Sequence, residues 1–461
     1  MESPDALLQR FNTPMEQSFC VLPWLHRFTN LYGEIQVCCV ADEKIGHLRH
    51  DSGKPFFIQD APSETEIANS AHLRRIRTDM LAGRWPAACS RCLTTEETGG
   101  TSRRVVENER FKDDIPWILS NTDADGFAPL RITSRDYRLG NLCNLKCRMC
   151  SPDASILLID DLKLYWRHKP TQAELDRYRN IDWFRQPAVW EAFRSNVHDL
   201  RHLHFAGGEP LVTPETLKAI EICIEEGCAK NIELTFNTNV TKLPPRMTDL
   251  WPHFRGVSLL CSIDAHGALN DYIRSPSRWS AIDANLRTID RKHVELNVIS
   301  AQVNATVQIY NVFHLDALVE YCHREFEFIR RMPYFIFLTG PTYFSIQVLP
   351  NAMKDEAKAR LTKLEERLRG AGVTQGFEQL HGIASYMDGG AESALWLSEF
   401  RRVTSRLDRA RHQSVTGVAP ELGPLMRRSP RMLWGELQCL TQGVRRRLST
   451  LPGRLRLPTG G

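Results

Sequence analysis

Between residues 130 and 350, short strand-like runs alternate with helix-length segments, and each polar motif of the region follows directly on a strand candidate. The strand candidates are 130–139, 202–206, 232–236, 257–263, 295–307 and 334–338, separated by helical segments that include 214–226, 268–290 and 312–327. Pro214 suits the first turn of its helix and Gly227 the end. Such alternation predicts a parallel α/β architecture, either a barrel or an open sheet, with ligand sites at the C-terminal ends of the strands.

The first candidate strand runs into Gly140-Asn141-Leu142-Cys143-Asn144-Leu145-Lys146-Cys147-Arg148-Met149-Cys150 and the second into Gly207-Gly208-Glu209-Pro210. The third leads to Asn237-Thr238-Asn239 and the fourth to Ser262-Ile263-Asp264. Three thiols spaced four and then three residues apart can wrap one side of a small cluster, one ligand short of the four that an ordinary ferredoxin-type cluster uses. The remaining iron would be open to a ligand. A Gly-Gly pair lets backbone approach a ligand with no Cβ in the way, and Glu209 can accept hydrogen bonds from a cationic amine.

Taken in this order and strand context, residues 130–350 resemble the radical S-adenosylmethionine enzymes. Cys143, Cys147 and Cys150 resemble the family's CxxxCxxC triad, and Gly207, Gly208, Glu209 and Pro210 its GGEP segment, which approaches the methionine amine. Ser262 and Arg274 resemble the pair that binds the methionine carboxylate and ribose, and Asn237 and Asn239 are carried over as further cofactor contacts. Met149 departs from the aromatic residue often found before the third cysteine. The resemblance implies a partial (β/α)6 barrel over 128–350, a [4Fe-4S] cluster, S-adenosylmethionine as cofactor, and an external electron donor such as flavodoxin or ferredoxin. Without it, Ser262 and Asp264 read as strand-end caps and Arg274 as a solvated helix residue.

A second cysteine constellation lies upstream: Cys20 before Pro23-Trp24, then Cys38-Cys39, then Cys89 and Cys92. Read from the residues alone, four thiols fit structural zinc as well as an iron-sulfur cluster. The order resembles the twitch domain, the single-cluster relative of the SPASM domain, although that domain usually follows the core and here precedes it. By this resemblance Cys20, Cys38, Cys89 and Cys92 would hold an auxiliary [4Fe-4S] cluster, the second of two, in a domain over 15–110. Adjacent residues of a strand face opposite sides, so only one of Cys38 and Cys39 is expected at the site. Residues 15–105 read as a small irregular domain without a core of its own, and 106–128 as a linker.

Composition bounds the remainder. Thirteen cysteines in 461 residues are too sparse for a disulfide scaffold, and 42% hydrophobic residues suffice for real cores. No secretory signal or membrane-spanning run is read, so a cytoplasmic address is expected. Residues 401–461 hold thirteen Arg, no Lys, and three acidic residues, Asp408, Glu421 and Glu436, within a chain whose net charge is only +4. After the amphipathic helix expected over 351–370, the 351–461 extension reads as helical, loop-broken and partly flexible, with an Arg-rich end that either attracts an acidic partner or is merely solvated. Nucleic acid is not expected as a partner, since no aromatic residues interleave the arginines.

Cys223, Cys228, Cys261, Cys322 and Cys439 read as small buried hydrophobes. His202 and His204 share a strand face that lines a substrate pocket or simply meets solvent. Trp183, Trp190 and Phe193 read as packing residues. The expected activity is hydrogen abstraction from a peptide or protein by a 5′-deoxyadenosyl radical. Oxidation of a small-molecule alcohol or sugar is the second choice, and a zinc-stabilised, non-catalytic binding protein the alternative of another class.

Overall fold

A computed structural model describes residues 15–42, 44–97 and 100–427. Its strands are β1 (His26–Thr29), β2 (Ile35–Gln36), β3 (Ser134–Arg138), β4 (His202–Ala206), β5 (Glu233–Thr238), β6 (Gly256–Ser262), β7 (Val298–Val307) and β8 (Arg330–Phe337). They form one open sheet in the order β2-β1-β3-β4-β5-β6-β7-β8. β2 is antiparallel to β1, and all other neighbours are parallel. The α/β architecture is present; the sheet does not close on itself.

The two faces differ in chemistry. Leu203, Phe205, Leu234, Phe236, Leu259 and Val303 point one way and are at most 1% exposed, packed in the main core. In register on the opposite face stand Asp136 and His204, Asn237 and Gln302 across Leu260, then Ser262, Asn304 and Tyr334. Parallel sheets are ordinarily apolar on both faces. The polar second face therefore marks where this sheet meets something other than its own helices.

The Pro214–Glu225 helix begins at its proline, and Gly227 beyond its end has φ +70°. The helix expected over 268–290 is instead two, Ala268–Ile273 and Trp279–Lys292. Pro276 lies in the break, where its missing N–H cannot continue the helical ladder.

The N-terminal region has a core of its own, contrary to the sequence reading. Val21, Leu22, Trp24, Leu25, Leu48 and Phe56 belong to it, and each is at most 2% exposed. The expected linker at 106–128 is helical over much of its length, Arg103–Arg110 and Ile115–Ser120, and Phe111, Ile118, Leu119 and Ala128 enter that core. Through β1 and β2 the region also extends the main sheet.

Asn351–Gly370 is a single helix, with Ala357, Leu361, Leu364 and Leu368 buried. The segment beyond it is more regular than expected, with helices Phe377–Asp388 and Ala394–Arg411. Arg402 and Arg406 donate to the Leu164 and Lys163 carbonyls at 3.4 and 3.3 Å, and Arg411 donates to Asp161 at 2.8 Å. Arg402 and Arg411 are thus drawn onto the core, while Arg406 stays exposed. The Arg-rich stretch from 428 onward, with Cys439, lies outside the described residues. Among the described residues no helix is long and apolar enough to cross a membrane.

Candidate functional site

β3 ends at Arg138 and the chain turns through Gly140, φ +85°, into the cysteine loop. Cys147 is buried, while Cys143 and Cys150 are half-buried. The loop is clamped from below by the helix break at Pro276: Lys146 N donates to Ser275 O at 2.6 Å and Arg148 N to Ile273 O at 2.8 Å. Burial pushes the Cys143 thiol up to about 12. Cys147 and Cys150 hydrogen-bond to each other, which lowers the first thiol and raises the second.

Glycine is required at Gly208 because a Cβ there would lie 2.1 Å from Leu142 O, in the cysteine loop itself. Gly208 N donates to Gly140 O at 3.2 Å and Glu209 N to Leu142 O at 2.8 Å, so the segment before Pro210 is stitched to the loop by backbone alone. The Glu209 carboxylate turns inward. It accepts from Leu211 N at 3.1 Å, Thr238 Oγ1 at 2.8 Å and Asn239 N at 2.6 Å. In this arrangement it ties the ends of β4 and β5 together.

Burial pushes Glu209 up to about 7 despite those three donors. Because its folded value lies above the unfolded one, the protonated form stabilises the fold below the unfolded value, and that contribution disappears as pH rises through about 7. Raising the pH of the cluster-free protein from about 4.5 to 7 should therefore cost wild type roughly 3 kcal/mol relative to Glu209→Gln. Thermal unfolding of the two proteins across that range reads the difference directly, and parallel curves would show that Glu209 does not carry it.

The other expected contacts converge on the same strand ends. Asn239 Nδ2 donates to Asn144 Oδ1 in the cysteine loop at 2.9 Å, and Asn237 Oδ1 lies 2.8 Å from His204 Nε2. Ser262 is half-buried at the end of β6. Arg274 is not solvated: it is 7% exposed and its Nε lies 2.8 Å from Asp264 Oδ2. Burial opposes its charge, but Asp264 and Cys147 outweigh burial and keep it firmly protonated. A fixed cation thus stands beside the cysteine loop.

Cys20, Cys38, Cys89 and Cys92 line one small cavity together with Val37, Trp85, Arg103 and Arg104. Burial is the first cause raising Cys20, Cys38 and Cys89, the last to about 12. Cys39 instead accepts from Arg103 Nη1 at 3.1 Å and bonds with Asp136. Among the described residues no three His, Cys, Asp or Glu side chains gather closely enough for a single metal ion. The four cysteines share the cavity with two guanidinium groups, whose charge favours an anionic occupant.

Sequence reasoning missed a buried polar network on the inner sheet face. His26 Nδ1 contacts Ser134 Oγ at 2.9 Å, Ser134 Oγ contacts His202 Nδ1 at 3.2 Å, and His202 Nε2 contacts Thr235 Oγ1 at 3.0 Å. Asp136, at 0% exposure, sits 3.0 Å from His204 Nδ1 and pairs with Arg138. His202 and His204 are thus buried rather than beside solvent. The alternation of Ser134, Asp136 and Arg138 along β3 was the available signal. Trp183, Trp190 and Phe193 are buried packing residues.

No protein-family model matches the chain, and no curated protein does. Among solved structures, the chain is similar to native anSMEcpe with bound AdoMet, at 14% identity and TM-score 0.33, over 52% of this chain and 61% of that one. It is similar also to SuiB of Streptococcus suis bound to S-adenosylmethionine, at 14% identity and TM-score 0.32, over 64% and 62%. With SuiB bound to precursor peptide SuiA the figures are 13% and 0.32, over 71% and 69%. The chain spans about three fifths of the length of the first two. Likeness at this level leaves residue roles to be argued from the chain's own geometry.

Proposed function

We propose that this protein is a radical S-adenosylmethionine enzyme with two [4Fe-4S] clusters, one on Cys143, Cys147 and Cys150 and an auxiliary one on Cys20, Cys38, Cys89 and Cys92. The reading is carried by the convergence of the three-cysteine loop and the Gly207-Gly208 cradle at the ends of β3 and β4, where a Cβ on Gly208 would strike the loop. The loop cluster, when bound, supplies the electron that cleaves S-adenosylmethionine to methionine and the 5′-deoxyadenosyl radical that abstracts hydrogen from substrate.

The chain's own residues bind and orient. Gly207 and Gly208 offer backbone to the methionine amine, Arg274 is the cation for its carboxylate, and Ser262, Asn237 and Asn239 face the remainder of the cofactor. Glu209 and Asn239 act largely by holding the strand ends and the cysteine loop in register. A reduced flavodoxin or ferredoxin is the proposed electron donor, and the cytoplasm the proposed location.

For substrate we infer a peptide or protein. Tyr334 and Ile336 are exposed on β8 at 37% and 43%, and the half-buried Asn237, Gln302, Asn304 and Thr306 share their sheet face. Carboxamides and hydroxyls on a broad strand face suit backbone amide groups, each able to donate or accept. Loss of a hydrogen pair from a co-expressed candidate peptide, read by mass spectrometry, would support oxidation or crosslinking.

Anaerobic reconstitution should give about eight irons per chain, two four-iron clusters. The double variant Cys89→Ala/Cys92→Ala should reduce this to about four, whereas Cys39→Ser should leave it at about eight. Iron and zinc analysis of the three proteins checks the assignment. Zinc with little iron in wild type would overturn the proposal.

A further inference from the structure

The N-terminal ends of the strands, opposite the cysteine loop, carry a cluster of cations that the proposed function does not use. Thr133 and Arg201 stand one residue before β3 and β4, Lys230 three residues before β5, and Arg255 one residue before β6. Backbone bonds fix these strand starts to one another. Arg201 N donates to Thr133 O at 2.8 Å, Glu233 N to Arg201 O at 2.9 Å, and Arg255 N to Ile232 O at 3.0 Å. With Arg131 they line a cavity of about 520 Å³, in which Asp199 is the one lining carboxylate. Asp199 is exposed, so water screens its charge.

Two further carboxylates serve four guanidinium groups here. Asp114 lies 3.0 Å from Arg131 Nη2 and 2.6 Å from Arg201 Nη2. Glu233 lies 3.2 Å from both Arg110 Nη1 and Arg255 Nη2. A guanidinium has five N–H groups, so each arginine keeps donors to spare. Aromatic rings hold two of them in place: the Arg131 guanidinium is 4.6 Å from the centre of the Trp117 ring, and that of Arg201 is 5.6 Å from the Phe111 ring. Lys230 adds an exposed ammonium. Thr133, which lines the same cavity, is 4% exposed, and its Oγ1 is buried without a hydrogen-bond partner among the described residues. A buried hydroxyl ordinarily has a partner, because giving up water without a replacement bond is costly.

We propose that this cavity binds the phosphate group of a small phosphorylated molecule. A phosphate monoester carries nearly two negative charges at neutral pH and three strong acceptor oxygens. Arg131 and Arg201, drawn together by one carboxylate, offer paired donors to such oxygens, Lys230 and Arg255 add donors from the neighbouring strand starts, and Thr133 Oγ1 gains the partner it lacks. A carboxylate, with one charge and two oxygens, would leave part of this set unused. The volume is that of a small-molecule site. β4 is five residues long, so the cavity stands about 17 Å from the cysteine loop. The phosphate is thus held remote from the loop, and the proposal does not rest on the enzyme reading.

Equilibrium dialysis of the full chain against radiolabelled inorganic phosphate, at low and constant ionic strength, tests the site. Wild type should bind phosphate, and glycerol phosphate should displace it where acetate does not. Arg201→Gln and Lys230→Gln should each weaken binding about tenfold, the value of one charge-assisted hydrogen bond. Thr133→Val should weaken it by a smaller factor while leaving the thermal midpoint unchanged or higher, because it removes a hydroxyl that has no partner. A residue that acted only through the fold would lose binding and stability together. Should Arg201→Gln fail to fold, Lys230→Gln decides, since its side chain is exposed. Absence of binding in wild type, or binding unchanged in these variants, overturns the site. Equal displacement by acetate overturns the phosphate assignment, and stronger displacement by a phosphoserine peptide than by glycerol phosphate overturns the small-molecule one. Phosphate bound by a chain that assembles no cluster supports the site while overturning the enzyme reading, and an active enzyme that binds no phosphate does the reverse.

Discussion

Cys147→Ala should reduce 5′-deoxyadenosine formation from S-adenosylmethionine to the level seen without protein, and should lower reconstituted iron to about four per chain. Cys147 is the most enclosed of the three loop cysteines, at 5% exposure, and hydrogen-bonds to Cys150. Three thiolates are already one fewer than an ordinary cluster uses, so the triad has none to spare. Among the described residues no neighbouring thiol is placed to substitute. Cys261 is 0% exposed and stands on the apolar face of β6, one residue out of phase with Ser262. Loss of an outer-shell partner alone typically costs about 10–100-fold in metal affinity or activity, and a lost ligand costs more. Chromatographic measurement of 5′-deoxyadenosine after anaerobic reduction, beside Cys223→Ala as a buried-cysteine control, provides the check. Product formed at the wild-type rate would remove the triad from the proposed function.

What the sequence made legible was whatever is contiguous in it. The cysteine loop, the Gly207–Pro210 segment and the strands feeding them can be read because motif and element adjoin. The helix Arg103–Arg110 could not be, because its amphipathicity is inverted: Val105 and Val106 are 41% and 47% exposed, whereas Arg104 and Glu107 are 8% and 4%. A search for apolar residues at helical spacing reads such a segment as a linker. Its buried charges are there to meet the cavity and Asp136, which no local pattern reveals. The choice between Cys38 and Cys39 was open for a related reason. Alternation presumed a strand through both, whereas β2 ends at Gln36; Cys38 lines the cavity and Cys39 accepts from Arg103.

The longest-range contact of the site was the least legible and carries the second large effect. Arg148 sits between Cys147 and Cys150 and is 0% exposed. Its Nη2 donates to Asp408 Oδ1 at 2.7 Å and Gln413 Oε1 at 2.9 Å, and its guanidinium lies 3.5 Å from the centre of the Tyr272 ring. Asp408 is 260 residues away in sequence, on the Ala394–Arg411 helix, and also accepts from Tyr272 Oη at 2.7 Å and Val415 N at 2.9 Å. Arg148→Met removes the only full charge paired with that carboxylate among the described residues. Breaking a buried pair from one side costs about 3–5 kcal/mol, and the two remaining donors put the expected loss near about 3. The loss should appear both as a lower thermal midpoint and as faster release of iron from the cysteine loop, because the same side chain holds the backbone between two ligands. Adding Asp408→Leu should restore most of the stability, since an apolar pair leaves no charge unanswered, but not the iron retention, since the link between loop and helix stays broken. Wild-type stability in Arg148→Met, or equal recovery of both properties in the double variant, would mean that the C-terminal helix merely covers the loop and does not hold it.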